Sequence, residues 1–286
     1  MQELNSTKYF RELIHDAEET FNSEHLSTRR YEAERIISHI LKISRIDIYT
    51  DPNIVISESQ NKLICSSFYR RKDGEPLQYI LGEENFRKLK LSVGPGVLIP
   101  RPETEQIVEK ALSLLPSGNA KVLDVGVGSG AIALSIAFEA PSTSVTGVDV
   151  SEDALKYSRK NILDNRLSNV QVLRGDLCSG FADSSFDIII ANLPYVTETE
   201  FRELEIEVRE FEPKLALTSG NDGLDLIRKL VPQSFNILKH LGWLMLEIGY
   251  RQGVECAELL KDKHFNNIEI IQDFNQKDRF VIGQKL

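Results

Sequence analysis

The spacing of apolar residues changes character along the chain, and the changes mark its parts. Phe10, Leu13, Ile14, Ala17 and Phe21 recur near the i, i+3, i+4, i+7 spacing of a helix with one apolar face. Tyr31, Ala33, Ile36, Ile37, Ile40 and Leu41 form a second such set, and Ser27-Thr28 before them supply hydroxyls expected to cap its first turn. A third set, Leu63, Ile64, Ser67 and Phe68, runs to Asp73-Gly74, where the glycine is expected to end the helix. Residues 1–75 are therefore predicted to be a small helical bundle. Its basic clusters, Arg29-Arg30 and Arg70-Arg71-Lys72, are expected to be solvated helix faces, with a partner-docking patch as the alternative.

Beyond Gly74 the period shortens. Asn85 to Val93 alternates apolar and polar residues over much of its length, as a half-buried strand does, so a β-hairpin linker is predicted over residues 76–100. Pro100 and Pro102 then hold Arg101 in an extended segment, and Pro102 can open a helix carrying Ile107, Val108, Ala111, Leu112 and Leu115. Arg101 and Glu103 would either pair with each other or form a rigid charged elbow leading into the next domain, residues 101–286.

From Lys121 onward strand and helix patterns alternate, which predicts an α/β fold with a parallel sheet covered on both faces. The strand segments are Val122–Val125, Ser144–Asp149, Val170–Leu173, the run ending in Ile188-Ile189-Ile190-Ala191, Trp243–Ile248, Ile268–Ile271 and Arg279–Ile282. Between them, Glu200, Glu203, Glu205, Glu207, Glu210 and Glu212 make an acidic stretch, expected to be solvated. Ala216 to Leu224 has turn chemistry leading into another helix.

Composition narrows the function classes. A net charge of −9 argues against a mainly electrostatic grip on nucleic acid. Cys65, Cys178 and Cys256 lie far apart without CxxC spacing, as reduced thiols in a cytosol do, and the five histidines (His15, His25, His39, His240, His264) are equally dispersed. No metal site is expected. The N-terminus lacks a basic region followed by an apolar core, and no apolar run reaches membrane-spanning length, so a cytoplasmic protein is expected.

Chemistry concentrates where strands end. After Val122–Val125 comes Gly126-Val127-Gly128-Ser129-Gly130, opening the helix that starts at Ala131; glycines admit a close-lying ligand, and a helix N-terminus favours its anionic part. Asp149, ending the next strand, can accept both hydroxyl protons of a ribose. Asp176 can accept from an adenine amino group while Leu177 packs on the ring. Gly126-x-Gly128-x-x-Ala131 also satisfies the relaxed dinucleotide fingerprint, so NAD chemistry stays open at this point. The run Ile188–Ala191 breaks off at Asn192-Leu193-Pro194-Tyr195; Pro194 cannot continue a central ladder, so these residues stand at the sheet edge where ligands bind.

With these residues in view, nearly the whole chain resembles the release factor glutamine methyltransferases (the PrmC/HemK type) of the class I S-adenosylmethionine-dependent group. The resemblance rests on Gly74 to Tyr79, Leu98 to Glu105, Asp124 to Gly130, Asn192 to Tyr195, Asp222-Gly223-Leu224 and Leu246 to Gly249. It implies a Rossmann-like, mostly parallel seven-stranded sheet, with the helical bundle as a substrate-recognition domain. It also implies methylation of the glutamine side-chain nitrogen (N5) in the Gly-Gly-Gln motif of peptide chain release factors. S-adenosyl-L-methionine is the expected cofactor, held by Gly126, Val127, Gly128, Ser129, Gly130, Asp149, Asp176, Leu177 and Asn192. Asn192, Leu193, Pro194 and Tyr195 are the expected catalytic and substrate-binding residues. Arg101 and Glu103 are expected to wall the glutamine pocket. Release factors are the expected partners of a monomer that binds neither membrane nor, stably, nucleic acid.

The sequence departs from the family at Leu193, where Asn-Pro-Pro-Tyr is usual. Asn-Leu-Pro-Tyr is similar to the motif of ribosomal RNA adenine dimethyltransferases, which keeps an RNA or DNA adenine N6-methyltransferase as an alternative, beside a non-catalytic binding module on the same fold. At the site itself, an amide nitrogen needs acceptors for its two hydrogens more than it needs a strong base. The Asn192 side-chain oxygen and the Leu193 backbone carbonyl are expected to supply them.

Overall fold

In this computed structural model, residues 6–21, 26–51 and 54–286 are described. The chain divides into two compact units, Met1–Gly82 with Ile206–Phe211, and Glu83–Glu205 with Glu212–Leu286. The first unit contains α1 (Ser6–Thr20), α2 (Leu26–Leu41), α3 (Asp47–Thr50), α4 (Glu58–Lys72) and α5 (Leu77–Leu81). The predicted apolar positions form its core: Phe10, Ile14, Ala17, Ile36, Ile37 and Ile64 are buried together, and Phe21 meets Phe68 edge-on with centroids 5.4 Å apart. Helix α2 begins at Leu26, so Ser27-Thr28 lie within its first turn rather than before it; the preceding residue, His25, is outside the described residues. Helix α4 is capped by Ser57, whose hydroxyl accepts from the Gln60 N–H while the Gln60 side chain accepts from the Ser57 N–H.

Arg71 is not part of a solvated face. Its side chain is 12% exposed and donates to both Glu32 carboxylate oxygens at 2.8 and 2.9 Å, and to Glu207 at 2.8 Å. Glu207 lies on the returning segment Ile206–Phe211, which also places Ile206 against Gly74.

The second unit opens with an antiparallel hairpin, β1 (Glu83–Phe86) and β2 (Leu89–Ser92). The alternating run Asn85–Val93 is thus not one strand: it contains the hairpin turn, with Arg87 at φ 50°. Ahead of the hairpin, Leu77–Leu81 is the helix α5. A 3₁₀ turn at Pro102–Thr104 leads into α6 (Glu105–Leu114). Then follow β3 (Lys121–Val125), α7 (Ala131–Glu139), β4 (Ser144–Asp149), α8 (Glu152–Asp164), β5 (Val170–Arg174) and β6 (Phe186–Ala191). The remainder comprises α9 (Glu198–Glu203), α10 (Ile206–Phe211, of the first unit), α11 (Asp225–Ile237), β7 (Leu238–Glu247), α12 (Gly253–Asp262), β8 (Phe265–Gln272) and β9 (Asp278–Lys285).

The seven strands β3–β9 form one sheet in the order β5-β4-β3-β6-β7-β9-β8, parallel except for the pairings of β9 with β7 and β8. Both faces are covered: Leu123, Ile189 and Leu244 belong to one core cluster, and Val122, Ile188, Ile190 and Met245 to the other. A strand buried on both sides has no polar face to show, which is why Ile188–Ala191 is uninterruptedly apolar.

Candidate active site

Sheet register builds the site. Val125 at the end of β3 pairs with Val148 of β4 and with Ala191 of β6, and Ala191 pairs with Leu246 of β7. The strands run parallel, so the next residue of each lies in one row at their carboxyl ends: Gly126, Asp149, Asn192 and Glu247. The chain turns from β3 toward β4 on one side and returns to β6 on the other, so this row crosses a topological switch point, where open α/β sheets bind ligands. A cavity of about 440 Å³ opens over it.

The glycine loop meets one side of the cavity. Gly126, Gly128 and Gly130 have φ of 78°, 55° and 91°, values that residues with a Cβ rarely adopt. The Gly128 N–H donates to the Asp149 carboxylate at 2.9 Å, and the Ser151 N–H to its other oxygen at 2.9 Å. Burial raises the Asp149 pKa against these two hydrogen bonds and a third from the Val150 backbone. The carboxylate retains accepting capacity, since an ionised one offers about four sites. Asp176 and Leu177 also line the cavity.

Asp124, the penultimate residue of β3, was missed as a site residue by the sequence reading. Its carboxyl is buried; Oδ2 accepts from the Ala133 N–H at 3.0 Å, whereas Oδ1 has no partner among the described residues. Burial pushes this carboxyl up to about 7, with the charge of Asp149 adding to the rise. A buried acceptor on a cavity wall calls for a donor, best a cation, from the occupant. The signal is an acid two positions ahead of the first loop glycine, Gly126, inside an otherwise apolar strand end.

Asn192, Leu193 and Pro194 are in the cavity wall with Thr104 and Arg101. The Asn192 amide nitrogen donates to Thr104 Oγ1 at 3.3 Å, and that hydroxyl donates to Glu247 Oε2 at 2.7 Å. The Leu193 side chain is buried and packs beside Gly126, where an added Cβ would stand 3.0 Å from Leu193 Cδ2. Tyr195 is outside the cavity wall. Burial, with the nearby Glu247 charge, pushes its phenol up to about 12, and Arg279 hydrogen-bonds it. Its backbone carbonyl accepts from Gln252 Nε2 at 3.0 Å; the same amide group donates to the Asp222 carbonyl at 2.9 Å, and Gln252 Oε1 accepts from the Gly249 N–H at 2.8 Å.

Arg101 and Glu103 do not pair. Arg101 donates to Glu212 Oε1 at 2.5 Å, and Glu212 Oε2 accepts from the Ile99 N–H at 3.0 Å. Glu212 is therefore buried, unlike Glu200, Glu203, Glu205 and Glu210 of the same acidic stretch, which are exposed. Glu103 is not in the cavity wall; its charge acts on Glu247 instead.

A seven-stranded sheet of this order, with a glycine loop and a strand-ending acid at the switch point, defines a Rossmann-like methyltransferase domain. A solved methyltransferase structure from Pyrococcus furiosus shares that fold at a TM-score of 0.52 and 21% identity, over 69% of this chain and 89% of the other. The Methyltransferase small domain family matches residues 107–208, and the PrmC N-terminal domain family matches residues 12–82. The release factor glutamine methyltransferase of Thermodesulfovibrio yellowstonii is 42% identical over 89% of this chain and 92% of its own length. That of Buchnera aphidicola subsp. Acyrthosiphon pisum is 38% identical over 91% and 94%. The chain belongs to the release factor glutamine methyltransferase family, and its cofactor is S-adenosyl-L-methionine, which removes the dinucleotide alternative. No helix among the described residues is long and apolar enough to cross a membrane.

Proposed function

We propose that this protein methylates the side-chain amide nitrogen N5 of the glutamine in the Gly-Gly-Gln motif of peptide chain release factors. The observation that carries the chemistry is the orientation of the Asn192 amide: its nitrogen is engaged by Thr104, so its oxygen is the atom left for a substrate. An amide nitrogen is a weak nucleophile because its lone pair is delocalised into the carbonyl. The Asn192 oxygen accepts one of its hydrogens and the Leu193 carbonyl the other, fixing its approach and stabilising the positive charge that develops. A backbone carbonyl serves this purpose whether its residue is leucine or proline, and Pro194 holds the preceding residue extended in either case.

S-adenosyl-L-methionine supplies an electrophilic methyl group on a sulfonium. The residues present fit it. Asp124 Oδ1 is a buried acceptor, unpartnered among the described residues and suited to an ammonium group. Asp149 has accepting capacity left for ribose hydroxyls, the loop Gly126–Gly130 admits the amino-acid part, and Asp176 with Leu177 takes the adenine. Pro194 lines the entry of the substrate side chain and Tyr195 holds the motif from behind through Arg279 and Gln252. Arg101, tied to Glu212, walls the pocket. We assign the helical unit to recognition of the release factor.

The test is transfer of labelled methyl from S-adenosylmethionine to a release factor, repeated with the motif glutamine replaced. Label should vanish with the replacement; label that persists refutes the target, and label in RNA or DNA instead supports the adenine alternative. Asn192→Ala should bind cofactor normally and lose roughly 10²-fold in rate.

A further inference from the structure

Glu247 is a carboxylic acid only 2% exposed, at the end of β7, in the same row as Gly126, Asp149 and Asn192, and the chemistry above gives it no task. It accepts from the hydroxyl of Thr104, itself 3% exposed, at 2.7 Å, and the Asn192 side chain hydrogen-bonds it as well. An ionised carboxylate only accepts, and a hydroxyl has a single hydrogen to give. With that hydrogen committed to Glu247, the Thr104 oxygen can only accept, and what it faces is Asn192 at 3.3 Å. Asn192 must then turn its NH₂ toward Thr104 and its oxygen the other way. We infer that Glu247 and Thr104 are positioning residues that set the direction of the Asn192 amide, so that an acceptor rather than a donor meets the substrate nitrogen. This rests on the role proposed for Asn192.

The chain of hydrogen bonds has a reverse direction. A protonated Glu247 donates to Thr104, the Thr104 hydrogen swings to Asn192, and the amide rotates to accept it. An NH₂ then faces the substrate NH₂, donor against donor. Burial pushes Glu247 up to about 7; its hydrogen bonds from Thr104 and Asn192 and the charge of Arg279 oppose the rise, and Glu103 adds to it. The phenol of Tyr195 and Arg279, which is itself paired with Asp273 at 3.2 Å, complete the ionisable surroundings. The competent direction needs the ionised acid, so kcat should fall as pH drops through about 7, with the carboxyl of Glu247 as the titrating group.

Steady-state methyl transfer to a release factor, measured from pH 5.5 to 9, tests this. Thr104→Val should lower kcat about 10- to 100-fold with the KM for S-adenosylmethionine unchanged. Thr104→Ser, which keeps the hydroxyl, should recover the rate to within about threefold. Glu247→Gln should lose the acid limb near pH 7. In an Asn192→Ala background, Thr104→Val should add nothing, because it acts through a side chain no longer present. Cofactor titration and thermal unfolding of each variant separate misfolding from mispositioning. A Thr104→Val enzyme with near-normal kcat, an equal loss in the Asn192→Ala background, or an acid limb that survives in Glu247→Gln overturns the inference. Near-normal turnover by Asn192→Ala alone overturns the role of Asn192 itself.

Discussion

Gly223 offers a sharp perturbation, because it touches the proposed catalytic motif, Asn192 to Tyr195, without lining the cavity. Its φ is +77°, and a Cβ there would stand 2.0 Å from the Tyr195 carbonyl oxygen and 2.5 Å from Gln252 Nε2. Real Cβ contacts do not fall below 3.0 Å, so in Gly223→Ala that gap must open by at least about 1 Å. The left-handed backbone adds about 1 kcal/mol of strain. The displaced methyl also disrupts the Gln252 amide, which holds Tyr195, Asp222 and Gly249 by bonds of 3.0, 2.9 and 2.8 Å. Pro194 makes the segment from Asn192 to Tyr195 stiff, so the shift is passed to the Leu193 carbonyl and the Asn192 amide. A misplacement of about 1 Å at reacting groups costs about 10²-fold in rate. Methyl-transfer kinetics should therefore show kcat down by about that factor, while calorimetric titration finds cofactor affinity near that of the parent. A Gly223→Ala enzyme with kcat within a few-fold of the parent would refute the claim that Gln252 and this loop hold the motif in place.

Two further perturbations address other links. Because the Asp124 pKa is raised from 3.8 to about 7 on folding, the native state keeps a proton that the unfolded state gives up between those values. The stability of the cofactor-free protein should then fall as pH rises from about 4 to 7, and Asp124→Asn should make that slope shallower without flattening it, since Glu247 shifts the same way; equal slopes in urea titrations would contradict this. Arg71→Ala leaves Glu32, whose side chain is 10% exposed, and Glu207 without their cation, and should destabilise the helical unit by about 3–5 kcal/mol; amide hydrogen exchange in α2 and α4 reads it, and unchanged protection would show the pairing to be dispensable.

The elements that sequence patterning resolved are those whose signal is local. An apolar run cut off by Pro194 marks β6 and the edge where Asn192 stands, and three glycines at alternate positions mark a loop with three left-handed residues. The seven strands expected in the second half form the seven-stranded sheet. What was missed depends on partners far away in the chain. Thr104 is 88 residues from Asn192 and 143 from Glu247, so no window along the sequence contains their hydrogen bonds. Glu212 resembles its exposed neighbours in every local respect and is buried only because the Ile99 N–H and Arg101 meet it across 113 and 111 residues. The alternation through Asn85–Val93 persisted across a tight turn because Phe86, Leu89, Leu91 and Val93 all point inward, and periodicity does not record that the direction reverses at Arg87.

The return of Ile206–Phe211 to the helical unit bears on inheritance and engineering. A gene segment encoding residues 1–82 does not encode a whole unit, because Glu207, the second carboxylate on Arg71 from 136 positions away, is written in the middle of the methyltransferase sequence. Exchanging N-terminal portions between relatives would separate the two, leaving one chimera with an arginine that keeps Glu32 but has lost its second carboxylate, and another with a stray carboxylate. Substitutions at Arg71 and Glu207 should therefore compensate one another, and a chimera intended to transplant the helical unit should carry both pieces.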